Sequence, residues 1–173
     1  MSLKKQFFNW LLNRKQKELN RNVQVVNLDQ ARSIGIVWKV DDLEVFNSLA
    51  KQLKKRGIDV QSICFSSQRG SVQGEAVFSP DDFSVFGKVK NEIIASFIKQ
   101  KFDILMDISL SSEVEIQYIR ALSQAKFKAG WSDAKFNFFD LSIDVHNRKE
   151  PSYLAEQLVH YLTEINKQVI HSN

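Results

Sequence analysis

At 173 residues, with 43% hydrophobic and 25% charged residues and a net charge of +4, the chain has the composition of one globular domain rather than of a disordered or fibrous protein. No apolar run approaches the roughly 18 residues of a membrane-spanning helix, and the single cysteine, Cys64, excludes a disulfide framework or a cysteine-rich zinc site. The charge is gathered at the start, where Lys4, Lys5, Arg14, Lys15, Lys17 and Arg21 stand against Glu18 alone. The rest of the chain is close to neutral, which argues against a nucleic-acid face spread over the domain. An N-terminus without a compact apolar segment and small-residue cleavage site makes the cytoplasm the expected compartment.

Residues 2–20 read as a basic amphipathic helix, with Leu3, Phe7, Trp10 and Leu11 on one side and Phe8 and Leu12 as further candidates for that side, forming a unit 1–22 ahead of a domain 23–173. Its rings and cations suit a membrane surface bearing anionic lipid. The commoner uses of such a helix are docking on its own domain or on a second copy, and these are favoured. Ser33 to Trp38 is a buried strand. Asp41 or Asp42 then caps a helix whose apolar positions are Leu43, Phe46, Leu49, Ala50 and Leu53. Gly57 follows Lys54-Lys55-Arg56 as its stop, and Asp59 to Phe65 is the second strand. Strand, helix, turn and strand make a βαβ crossover.

Residues 66–87 are irregular, with a short edge strand within Gly74 to Phe78, and are read either as a functional lid or as an exposed loop. Lys90 to Gln100 is helical. Phe102 to Ile108 is the third strand, and a helix capped by Ser111 or Ser112 carries Val114, Ile116, Tyr118, Ile119 and Leu122. Ala125 to Trp131 and Phe138 to Val145 are the fourth and fifth strands. Pro151 opens the last helix, and the tail frays around His171. The expected fold is a three-layer Rossmann-like α/β sandwich of about five mostly parallel strands, with an extra N-terminal helix.

In such sheets ligands sit outside the carboxyl ends of the strands, where the strand order reverses. That rule selects Trp38 and Asp41 after the first strand, Ser109, Ser111 and Ser112 after the third, Trp131 after the fourth and Asp144 after the fifth as candidate ligand-binding residues. The first turn, Val37-Trp38-Lys39-Val40-Asp41-Asp42, has no glycine and two acids, which argues against a phosphate cradle. Ser109 to Ser112 meet a helix N-terminus, so anion binding and simple capping compete there. Asp103 and Asp107 flank one strand and Asp140 and Asp144 another, about 13 Å apart within each pair. Asp107 and Asp144 would approach each other only if their strands were neighbours. His146, His160 and His171 have no metal-binding spacing, so no metal and no cofactor is implied. Cys64 reads as a small core residue.

Phe102-Asp-Ile-Leu-Met-Asp-Ile-Ser-Leu110 through Ala125-Lys-Phe-Lys-Ala-Gly-Trp131, with Phe83 to Gly87, Ser33 to Ile36 and the basic N-terminus, resembles a bacterial family of uncharacterised proteins over nearly the whole chain. That resemblance implies a Rossmann-like fold and no known activity. A narrower resemblance is to the acceptor-side half of heptosyltransferase-type glycosyltransferases, whose F-D-x-x-x-D strand and later glycine match Asp103, Asp107 and Gly130. Those enzymes need a second domain for the sugar nucleotide, and no catalytic residue is carried over. The expected function is a non-catalytic or accessory module that binds a small molecule or a protein through the strand-end surface, with a membrane surface or a homodimer engaged through the N-terminal helix. The alternative is a small transferase or hydrolase acting on a nucleotide or sugar phosphate at the same ends.

Overall fold

The computed structural model describes residues 3–68, 70, 72–84, 88–132 and 137–166, with side chains from Trp10 onward. Leu3, Phe7 and Phe8 as an apolar face, Gly87 and His171 lie outside the described side chains or residues.

Helix α1 spans Leu3–Glu18 and is followed by β1, Ser33–Lys39. Helix α2, Leu43–Lys55, buries Phe46, Leu49, Ala50 and Leu53, a 3, 4 spacing that puts them on one stripe. Gly57 takes φ 79°, the left-handed conformation that ends a helix most cheaply with glycine. Strand β2, Asp59–Phe65, follows at once. The long connection then yields a two-residue strand β3, Val77–Phe78, and helix α3, Glu92–Lys99, whose Asn91 side chain accepts the Ile93 N–H as a cap. Next come β4, Ile104–Asp107, α4, Val114–Leu122, and β5, Phe127–Gly130. The chain closes with β6, Leu141–Ser142, and α5, Pro151–Glu164, with proline in the first turn as expected.

The sheet of the described residues has six parallel strands in the order β3-β2-β1-β4-β5-β6. This is the doubly wound order, and the reversal lies between β1 and β4. The connection through α3 is where the chain crosses to the other half. The edge strand expected within Gly74 to Phe78 is β3, which pairs with Cys64 and Phe65 of β2 and brings the expected five or so strands to six. The strand expected over 138–145 contracts to two residues. The Asp140 carboxylate takes the Lys128 N–H at 2.8 Å, so a side chain supplies what a longer ladder would.

Alternation along the strands builds two cores. Ile34, Ile36, Trp38, Ile104, Met106 and Ile108 face α2 and α5 with Phe46, Leu53, Leu154 and Leu158. Val37, Ile63, Phe65, Leu105 and Phe102 face the other layer with Phe97, Ile98, Ile116 and Ile119. Leu12 of α1 is fully buried in this second core, and Lys15 lies 5.6 Å from the Tyr118 ring of α4. No described helix is long and apolar enough to cross a membrane.

The amino end of the sheet is clipped by Asp103. Its carboxylate accepts the backbone N–H of Arg32 at 2.8 Å and of Ser33 at 3.1 Å, and the Lys126 ammonium at 2.7 Å. Burial raises this carboxyl, but Lys126 and the two N–H groups outweigh it, so the net shift is downward. Asp140 closes the same end against Arg21 in a bidentate pair at 2.6 and 2.8 Å.

Candidate functional site

The switch point brings together the segments after β1 and β4. Trp38, the last core-facing residue of β1, is fully buried and stacked on Phe46 of α2, with ring centroids 4.3 Å apart. It shares its strand face with Ile34 and Ile36, so the ring turns inward rather than to the surface. Its indole N–H has no hydrogen-bond partner among the described residues. Val40–Asp42 then makes a single 3-10 turn into α2. Asp42 stands at the N-cap without a side-chain cap bond, and Asp41 is exposed. Burial raises the Asp42 carboxyl, with Lys39 opposing and Asp41 adding.

The end of β4 is different. Asp107 is 1% exposed, and one carboxylate oxygen accepts the Ser109 N–H at 2.8 Å and the Ser109 hydroxyl at 2.6 Å. The other accepts the Nε–H of Arg120 from α4. Arg120 also donates to Ser109 Oγ at 3.1 Å, closing a ring of three buried polar side chains. The Phe139 ring stands 5.3 Å from the guanidinium. It can approach because residue 130 is glycine. A Cβ there would lie 2.5 Å from the Phe139 ring and 3.1 Å from the Asp107 carbonyl oxygen. The arrangement neutralises a carboxylate at the position where a doubly wound enzyme would use one.

A second buried cation stands beside it. Lys128, fully buried in β5, donates from Nζ to the carbonyls of Arg120 at 2.6 Å and Ala121 at 3.2 Å. These carbonyls belong to the last turn of α4, where a cation meets the negative end of the helix dipole. Burial pushes the ammonium down to about 7, Arg21 adding to the shift and Asp140 opposing it.

The remaining candidates are dispersed. Ser111 is buried, and its hydroxyl accepts the Glu113 N–H at 3.1 Å, a turn one step ahead of α4. The N-cap itself is Glu113 rather than Ser111 or Ser112. Ser112 is exposed, and its carbonyl accepts from Gln117 Nε2 at 2.9 Å. Leu110, between Ser109 and Ser111, adopts φ 46°, a conformation costing an ordinary residue about 1–2 kcal/mol. Trp131 is buried with the Lys149 ammonium 4.2 Å from its ring. Asp144 is exposed and binds its own neighbour, accepting the His146 N–H at 2.9 Å and meeting the His146 ring at 2.5 Å. These bonds, the backbone one foremost, hold its carboxyl below the ordinary value. Asp107 and Asp144 do not sit on neighbouring strands, because β5 lies between β4 and β6.

The structure therefore joins Ser109 to Asp107 and brings in Arg120 and Lys128, which the sequence reading left out. Their signal was present. Ile116, Ile119 and Arg120 share an i, i+3, i+4 stripe, and a four-residue strand buried between two neighbours leaves Lys128 no exposed face. Cys64 is buried, and burial, with Glu75, Asp42 and Asp41 adding, pushes its thiol up to about 12, away from nucleophilic use.

Comparison with curated proteins gave no match. A family model, described as a family of unknown function, matches residues 4–165. The chain thus belongs to the family of unknown function DUF6913.

Proposed function

We propose that this domain is a non-catalytic binding module of the cytoplasm that engages its ligand or partner through the carboxyl-end surface between β1 and β4. One observation carries the reading: Asp107, the carboxylate at the switch point, is buried and bound to Arg120 and Ser109. Groups so committed are poor general acids or bases, since releasing either partner leaves a buried charge unpaired. Asp103 and Asp107, the two acids of the glycosyltransferase outline, are both held by internal bonds, Asp103 by the Arg32 N–H and Asp107 by Arg120 of α4. The turn after β1 offers acids and no glycine, which disfavours nucleotides and sugar phosphates. What faces outward there is Asp41, Ser112 and Glu113.

A thermal-shift panel of nucleotides, sugar nucleotides, phosphorylated metabolites and uncharged or cationic metabolites tests this, with product formation followed in the same samples. The expected result is stabilisation by members of the uncharged or cationic group, without turnover, lost in Asp41→Lys and Ser112→Arg. A ligand at about 100 times its Kd adds roughly 2.7 kcal/mol. Turnover of a nucleotide or sugar phosphate would overturn the reading in favour of a small transferase or hydrolase.

A further inference from the structure

Helix α1 meets the domain through Leu12, which is fully buried in the second core, while Lys15 stands beside the Tyr118 ring of α4. A helix turns by about 100° per residue, so Trp10 lies roughly 160° around α1 from Leu12. Trp10 is 56% exposed, whereas Trp38 and Trp131 are buried. Arg14 and Lys17 follow Trp10 at i+4 and i+7, on the same line of the helix, and both are exposed. Counted back by the same spacing, the helix has Phe7 and Leu3 in line with Trp10. The Arg14 guanidinium stands 6.0 Å from the Trp10 ring. The outward strip of α1 thus sets a large amphipathic ring beside cations.

The charge of the molecule gathers on the same element. Residues 1–20 hold Lys4, Lys5, Arg14, Lys15 and Lys17 against Glu18 alone, so their net charge of +4 equals that of the whole chain. Arg14 and Glu18 pair at 3.1 Å with side chains 65% and 63% exposed, a contact open to competition from other anions. A second copy docked face to face across a two-fold axis would set these like charges against each other. The neutral remainder of the chain offers no basic track along which a nucleic acid could continue. A bilayer with anionic headgroups matches both features, since indole rings settle at the headgroup level and lysine and arginine meet the phosphates.

We propose that the outward strip of α1 docks the domain on an anionic phospholipid bilayer. The helix lies in the plane of the surface, Trp10 enters the headgroup region, and Arg14 and Lys17 meet lipid phosphates. The strip shares no residue with the strand-end surface, so either reading can fail alone.

The probe is a vesicle of phosphatidylglycerol and phosphatidylcholine, sedimented with the full chain, with phosphatidylcholine vesicles as the control. Binding to the anionic vesicles is expected, falling as salt is raised from about 0.05 to about 0.5 M. Lys17→Gln should weaken it about fivefold, and Arg14→Gln with Lys17→Gln about 25-fold. Trp10→Ala should weaken it by about tenfold or more. All three positions are exposed, so the melting point of each variant should stay at that of the parent chain. Because Trp38 and Trp131 are buried, brominated lipid should quench Trp10 emission, and Trp10→Phe should abolish the quenching while still sedimenting. Four results would overturn the proposal: no sedimentation at low salt, equal sedimentation with phosphatidylcholine alone, sedimentation without quenching of Trp10, or a dimer of the free chain that shields Trp10 from acrylamide. Displacement of the vesicles by an equal charge of single-stranded oligonucleotide would overturn it in favour of a nucleic acid.

Discussion

Replacing Arg120 by methionine removes one partner of the most deeply buried charge pair described. Arg120 and Asp107 have side chains 6% and 1% exposed. In Arg120→Met the Asp107 carboxylate keeps only the two bonds from Ser109. Stranding one member of a buried pair typically costs about 3–5 kcal/mol. Loss of the guanidinium against the Phe139 ring falls within that range. For a domain near this size about 1 kcal/mol shifts Tm by about 2–4 °C, so the melting point should fall by roughly 6–20 °C. Urea denaturation, with the m-value unchanged, measures the loss directly. The double variant Asp107→Asn/Arg120→Met neutralises both groups, and its loss should be about 1–3 kcal/mol smaller than the sum of the single losses. A loss below about 1 kcal/mol in Arg120→Met, or strict additivity in the double variant, would refute the view that this pair is a buried, interdependent unit.

Three further outcomes follow from the packing. The Lys128 ammonium titrates near 7 in the folded chain and near 10.5 as a free side chain, so the unfolded state binds more protons between those values. Stability should therefore rise with pH above 7, by at most about 1.4 kcal/mol per unit, and the rise should vanish in Lys128→Met. Urea curves from pH 7 to 8.5 read this before Cys64, whose folded thiol is raised to about 12, begins to lower stability above about 9. Gly35→Ala should cost more than Gly130→Ala in the same assay. The added methyl would lie 2.6 Å from the fully buried Phe102 ring at position 35, whereas at 130 it meets the half-buried Phe139. Overpacking of this kind costs about 1–3 kcal/mol. Leu12→Ala should cost about 2–4 kcal/mol because Leu12 is fully buried against the domain, and a neutral result would show that α1 does not dock there in solution.

The parts of the fold legible in the sequence are those where several local signals agree. The first βαβ unit combines a β-branched strand, a 3, 4 stripe from Phe46 to Leu53 and Gly57 at its left-handed stop, and each held in the structure. The sequence was weaker where a side chain replaces backbone pairing. Asp140 bonding to Lys128 N–H shortened β6, and Ser111 bonding to Glu113 N–H moved the cap of α4. The candidate site was half legible. The rule of strand ends found Ser109, but Trp38 was placed by position rather than by strand parity, which sends it inward with Ile34 and Ile36. Arg120 and Lys128 escaped because charged residues are ordinarily read as solvent-facing, although both stand on buried stripes.

The most direct test of a non-catalytic binding surface between β1 and β4 is amide NMR of the labelled chain with the metabolite panel, following the ligand's own signals in the same tube. The predicted result is saturable shifts at Asp41, Asp42 and residues 109–113, with the ligand recovered unchanged. Conversion of the ligand, or binding that leaves those amides unmoved, would contradict it.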